Sequence, residues 1–67
     1  MVEIIITRGG ILIGGCECFD RAEAVQRMRD AFTQYAQEGH TIRRASFRSW
    51  IVTTPEAEYR HRLEYYR

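Results

Sequence analysis

Two cysteines, two histidines and a group of arginines around one tryptophan have the most chemistry to offer in this 67-residue chain. Cys16 and Cys18 form a Cys-x-Cys pair. On a strand, residues i and i+2 point the same way, so the two thiols lie side by side and no disulfide is expected between them. Two cysteines are also too few for a secreted disulfide framework. A zinc site drawn from Cys16, Cys18, His40 and His61 would need two distant histidines to converge. The sequence offers no second close-spaced ligand pair to support it. The expectation is reduced thiols, buried or half-buried, with no metal and no cofactor. A nucleophile made of Cys18 and a histidine can be drawn, but nothing marks either cysteine as activated.

Gly9-Gly10 and Gly14-Gly15 invite comparison with a phosphate cradle. Such a loop needs a fixed glycine spacing that ends in Lys-Ser or Lys-Thr before a helix. The chain has no lysine, and strand residues follow Gly14-Gly15. Turn and bulge glycines are expected instead. Among the carboxylates, Asp20 reads as a helix cap. Glu56, Glu58 and Glu64 alternate with arginines, which points to solvated ion pairs.

The most suggestive group is Arg44, Ser46, Arg48 and Trp50, at strand-like spacing. Guanidinium groups beside an aromatic ring can clamp phosphates and stack a base. The same composition is favoured at protein-interface hot spots. A structural reading also exists, with Trp50 covering a sheet face under arginine stems. Tyr59, Tyr65 and Tyr66 are candidates to extend the group.

These residues need elements to hold them. Val2 to Thr7 is rich in β-branched residues and reads as a strand, followed by a hairpin turn at Gly9-Gly10. Ile11 to Phe19 is a second strand, and Gly14-Gly15 marks a bulge or a close backbone approach within it. A helix is predicted from about Arg21 to Glu38. Asp20 caps it, Glu23 completes a capping-box pattern, and Gly39 ends it. Val25, Met28, Phe32 and Tyr35, with Ala24, Ala31 and Ala36, form one apolar stripe. Thr41 to Thr53 reads as one long strand. On it, Ala45, Phe47 and Ile51 are expected to face the helix, and Arg44, Ser46, Arg48, Trp50 and Val52 to face away.

The tail supports two readings. Thr54-Pro55-Glu56 can start a helix over 55–67, on which Tyr59, Leu63 and Tyr66 share a face. The same residues can turn into a fourth strand on which Tyr59, His61, Leu63 and Tyr65 alternate. The strand is preferred, because tyrosines favour sheet and a hairpin with the preceding strand would close the edge. The resulting fold class is α+β. It is a single compact domain over 1–67, in the order β-β-α-β-β, with a mostly antiparallel sheet and one helix packed on one face.

Composition narrows the function. A chain this short buries only about 60% of its unfolded surface, so a deep active-site cleft would compete with the core for residues. Hydrophobic content of 45% and charged content of 28% suit a globular domain. No apolar run approaches the roughly 18 residues of a membrane span. No signal-peptide pattern is visible, so a cytoplasmic location and no membrane partner are expected. Every one of the ten basic residues is arginine. Residues 1–39 carry four Arg against six acids (−2), and residues 40–67 carry six Arg against three acids (+3). That polarity is a modest hint of an anionic partner and falls short of a dedicated DNA binder.

The expected function is therefore non-enzymatic: a protein-binding module that regulates or inhibits a larger protein or complex by covering a surface of it. Arg44, Ser46, Arg48, Trp50, Tyr59 and Tyr65 are the expected contact residues. In kind, without any shared motif, the chain is similar to small phage or mobile-element accessory proteins, anti-CRISPR proteins included. The alternative is a nucleic-acid-binding domain that uses the same basic, aromatic sheet face. A homodimer that hides the patch is a third possibility.

Overall fold

The computed structural model describes residues 1–66. Five strands and one helix follow one another as β1 (Val2–Arg8), β2 (Ile11–Cys18), α1 (Arg21–Gln37), β3 (Thr41–Ser46), β4 (Ser49–Thr53) and β5 (Glu58–Tyr65). They make a small α+β domain with one antiparallel sheet in the order β2-β1-β5-β4-β3. The tail is a strand, as its alternation predicts, and Arg67 lies outside the described residues. β5 does not close an edge; it sits at the centre of the sheet, between β1 and β4.

The first hairpin turns on Gly9 and Gly10, with φ of 58° and 81°. Positive φ at both central residues matches the right-handed twist of the flanking strands. β2 then carries a bulge. Ile6 faces Gly14 and Thr7 faces Leu12, so Ile13 is the extra residue. Gly15 has a φ of 142°, and a Cβ there would collide with the Ile4 carbonyl oxygen. Here the two backbones approach too closely for any side chain.

Helix α1 begins as its sequence predicts. The Asp20 carboxylate accepts from the Glu23 N–H at 2.9 Å, and the Glu23 carboxylate accepts from the Phe19 N–H at 3.1 Å. At the other end Gly39 (φ 85°) donates to the Ala36 carbonyl and His40 donates to the Tyr35 carbonyl, both at 3.0 Å. That pair of bonds satisfies carbonyls that the helix cannot. The core lies between the helix and one sheet face. It comprises Val2, Ile4, Cys18, Ala24, Met28 and Leu63, with Ile6, Cys16, Phe32 and Trp50 packed around them.

Two expectations about residues 41–53 are corrected. The segment is a hairpin of two strands joined at Phe47 and Arg48, not one long strand. The helix also covers the opposite face from the one expected. Trp50 lies opposite Arg44 and His61, and its ring is 6.1 Å from that of Phe32 on α1. Val52 is completely buried, while Phe47 is exposed at the turn. Ile51 is buried on the other face, where it lies opposite Arg43 and Arg60.

The second sheet face is rich in charge. It carries Glu3 on β1, Glu64, Arg62 and Arg60 on β5, and Arg43 on β3, with an Arg62–Glu64 ion pair at 3.3 Å. An antiparallel sheet tolerates one face in water.

Candidate functional site: an arginine–aromatic rim

Five strands running side by side bring their ends into two rows. The row near the start of the helix collects aromatic and apolar residues. Phe19 follows β2, Met1 precedes β1, Tyr65 ends β5 with Tyr66 after it, and Phe47 and Arg48 join β3 to β4. Pairing fixes these as neighbours. Val2 lies opposite both Cys18 and Tyr65, the Tyr66 N–H donates to the Met1 carbonyl, and the Leu63 N–H donates to the Arg48 carbonyl. Phe19 is 85% exposed and Phe47 is 74% exposed. The opposite row holds the Gly9-Gly10 turn, Gly39-His40 and Thr54 to Ala57, which are polar or small. Large exposed apolar groups gathered on one surface mark an interaction site more often than groups scattered singly.

Arginines order the rim. The Arg48 guanidinium lies 4.5 Å from the centre of the Tyr65 ring and 5.8 Å from that of Phe47. The Tyr65 hydroxyl accepts from Arg21 Nε at 3.2 Å. Arg44 lies 5.4 Å from the centre of the Trp50 ring. It also donates to the carbonyls of Ser46 and Phe47, at 3.2 and 2.9 Å. Arg44 is thus a clasp on the turn that displays Phe47. Among the described residues, Arg21, Arg44 and Arg48 form no ion pair. The Tyr66 hydroxyl donates to Glu3 at 2.6 Å, and this bond pushes its pKa above the ordinary tyrosine value.

Of the six expected contact residues, Arg44, Arg48, Trp50 and Tyr65 come together here. Ser46 does not join them. The bulge between Arg44 and Ser46 turns it to the other face, where its hydroxyl lies 2.7 Å from that of Ser49. Tyr59 stands six residues before Tyr65 on the same strand, roughly 20 Å away at ~3.4 Å per residue. It is half-buried beside Val52. Trp50 is half-buried against the helix and is not a projecting anchor.

Sequence reasoning missed Phe19, Phe47, Met1 and Arg21 as rim members. One signal was present. Phe19 directly precedes the cap residue, where an apolar side chain often packs back on the fourth helical residue. That residue is Ala24, which is fully buried, and Phe19 does not pack on it but stands exposed.

The remaining reactive groups lie elsewhere. The sulfurs of Cys16 and Cys18 are 3.9 Å apart and unbridged. Burial, with Cys16 beside it, pushes the Cys18 thiol above its usual pKa, which works against a thiolate nucleophile. His61 is 1% exposed and sits edge-on to Phe32 and Tyr35. Neither ring nitrogen has a hydrogen-bond partner among the described residues. Burial holds its pKa below the ordinary histidine value. Among the described residues, no three of His, Cys, Asp or Glu are grouped to hold a metal ion. Among the described residues, no helix is long and apolar enough to cross a membrane. Comparison with family models, curated proteins and solved structures finds no match for this chain.

Proposed function

We propose that this chain is a non-enzymatic protein-binding module, a small regulator or inhibitor that covers a surface of a larger protein with its arginine–aromatic rim. The observation that carries this reading is Arg48 laid over Tyr65 beside an exposed Phe47, with no carboxylate paired to it among the described residues. Arginine and aromatic residues dominate interface hot spots. Here the turn is clasped by Arg44, so Phe47 is presented with little conformational freedom left to lose. The partner surface that fits is an apolar depression with a carboxylate at its edge, the depression for Phe47 and the carboxylate for Arg48. Two unbridged thiols favour a reducing compartment, and we assign the protein to the cytoplasm.

The test is affinity capture with the wild type beside folded Phe47→Ala and Arg48→Ala variants. Trp50→Ala is a poor choice, because it would open the core against Phe32. Loss of about 2 kcal/mol, or roughly 30-fold in Kd, in both variants is expected for hot-spot residues. A partner held equally by all three proteins would overturn the assignment.

The nucleic-acid reading keeps one supporting observation, which is that Arg21, Arg44 and Arg48 lie near aromatic rings at one end of the sheet. It predicts binding that weakens steeply with salt. Polynucleotide titration followed by Trp50 fluorescence would reveal it. The commitment of Arg44 to turn carbonyls leaves few free arginines for phosphates and favours the protein partner.

A further inference from the structure

The rim leaves one other apolar surface unexplained, the free edge of β2. Ile11, Leu12 and Ile13 are all exposed, and no charge occurs between Ile11 and Cys16. An uncharged edge strand presents unpaired backbone N–H and C=O groups as a template for another strand. β2 has a bulge at Ile13 but no proline or lysine, and among the described residues no further strand pairs with that edge.

We propose that β2 is a dimerisation edge, on which a second copy of this chain pairs its own β2 antiparallel about a two-fold axis, joining two sheets into one.

Three features select a second copy and this orientation. The first is charge. Two copies can meet edge to edge as β2–β2, β2–β3 or β3–β3. β3 carries Arg43 and Arg44, so β3–β3 places like charges across the seam. A β2–β3 contact is head-to-tail and leaves two further edges open, whereas β2–β2 closes at the dimer.

The second feature is shape. The bulky residues of β2 precede its glycines, as Ile11-Leu12-Ile13-Gly14-Gly15. Antiparallel self-pairing centred near Ile13 sets Leu12 against Gly14 of the partner subunit, and Ile11 against Gly15 of the partner subunit. Parallel pairing would set bulk against bulk. The third is the placement of the only charge in the strand. Glu17 is then carried towards the Gly9-Gly10 turn of the other copy, next to the partner's Arg8, and away from the partner's Glu17. The seam is one strand long, small against the ~1,200–2,000 Å² of a standard interface, so the dimer is weak and dissociates on dilution.

Sedimentation over a concentration series tests this with the wild type, Leu12→Lys and Thr41→Lys. Thr41 is the control because it lies on the β3 edge. The wild type and Thr41→Lys are expected to shift from monomer to dimer as concentration rises, and Leu12→Lys to stay monomeric. Leu12 is 68% exposed, so its replacement should leave the fold intact, which Trp50 fluorescence checks. Amide exchange of the wild type gives a second readout that needs no variant. Protection over Ile11–Cys16 should rise with concentration, and protection over Thr41–Ser46 should not. A wild type that is monomeric throughout, a Leu12→Lys dimer, growth beyond the dimer, or dimerisation lost equally in Thr41→Lys would each overturn the proposal. So would a monomer whose β2 takes a strand from an unrelated protein only. Phe47→Ala should dimerise normally, so failure of the rim and failure of this edge read out separately.

Discussion

At one edge of the sheet, β3 presents Arg43 and Arg44, a bulge before Ser46, and a turn clasped by the Arg44 guanidinium. At the other, β2 also has a bulge, at Ile13, but presents the uncharged Ile11, Leu12 and Ile13, then two glycines. β3 is anchored by a side chain and guarded by charge. β2 is attached by its backbone ladder to β1 and by the side chains of Cys16 and Cys18, and Gly15 meets Ile4 too closely for a Cβ. The difference teaches that the edges have separate roles. A charged edge ends a sheet, and an uncharged, closely fitted one is left ready to extend it.

The strongest way to break this contrast is Gly15→Ala. The new Cβ would strike the Ile4 carbonyl and force a residue with a side chain into positive φ. We expect a loss of about 3 kcal/mol or more in urea denaturation followed by Trp50 fluorescence. An unchanged midpoint would mean that β2 can shift away from β1, and its attachment would not be the tight one described.

Next comes pH, which acts on β5, the strand both halves share. Burial depresses the folded-state pKa of His61 below its unfolded value of about 6.5. The unfolded chain therefore binds the extra proton more readily. Stability is full above about pH 6.5 and falls as pH drops towards the folded pKa, by up to about 1.4 kcal/mol per pH unit. Denaturation midpoints at several pH values should show this slope, and His61→Phe should remove it. Both edges should loosen together, because the affected strand lies between them.

Arg44→Ala tests the guarded edge. Losing two hydrogen bonds to carbonyls and the contact with Trp50 should destabilise by about 1 kcal/mol, discounted for exposure. Amide exchange should quicken in β3 and stay unchanged in β2. The smallest effect on stability is expected from Arg43→Thr, within about 0.5 kcal/mol. Its consequence should be seen in sedimentation instead, as new self-association through an unguarded β3.

The helix was legible because local chemistry specifies it. Asp20, Glu23 and Gly39 place its ends within a residue, and Met28, Phe32 and Tyr35 give its inner side. β5 was legible from the alternation of Tyr59, His61, Leu63 and Tyr65, all of which take the helix side. The β3–β4 hairpin was not. Phe47 and Arg48 carry none of the usual turn residues, and the turn is held by a guanidinium three residues earlier in the chain. The bulge then changes the facing of Ser46, which strict alternation cannot register. Which side the helix covers was ambiguous for a related reason. Both alternating sets between 43 and 52 mix arginine, a small residue and apolar residues, so neither set declares itself as core. The candidate site suffered most. Its members are adjacent only after five strands have aligned their ends, and no spacing in the sequence encodes that row.

The place of β5 also has a consequence in time. The β1–β2 hairpin, the helix and the β3–β4 hairpin are each local in sequence and can form as the chain leaves the ribosome. None of the strand pairs formed so far connects the two hairpins. The ladders that join them, Ile4 with Leu63 on one side and Trp50 with His61 on the other, both require β5. Pairing Ile4 with Leu63 closes a loop that spans both hairpins and the helix, the slow kind of contact. Until that strand arrives, the nascent chain holds two unjoined hairpins, and β5 is the element that makes them a single sheet.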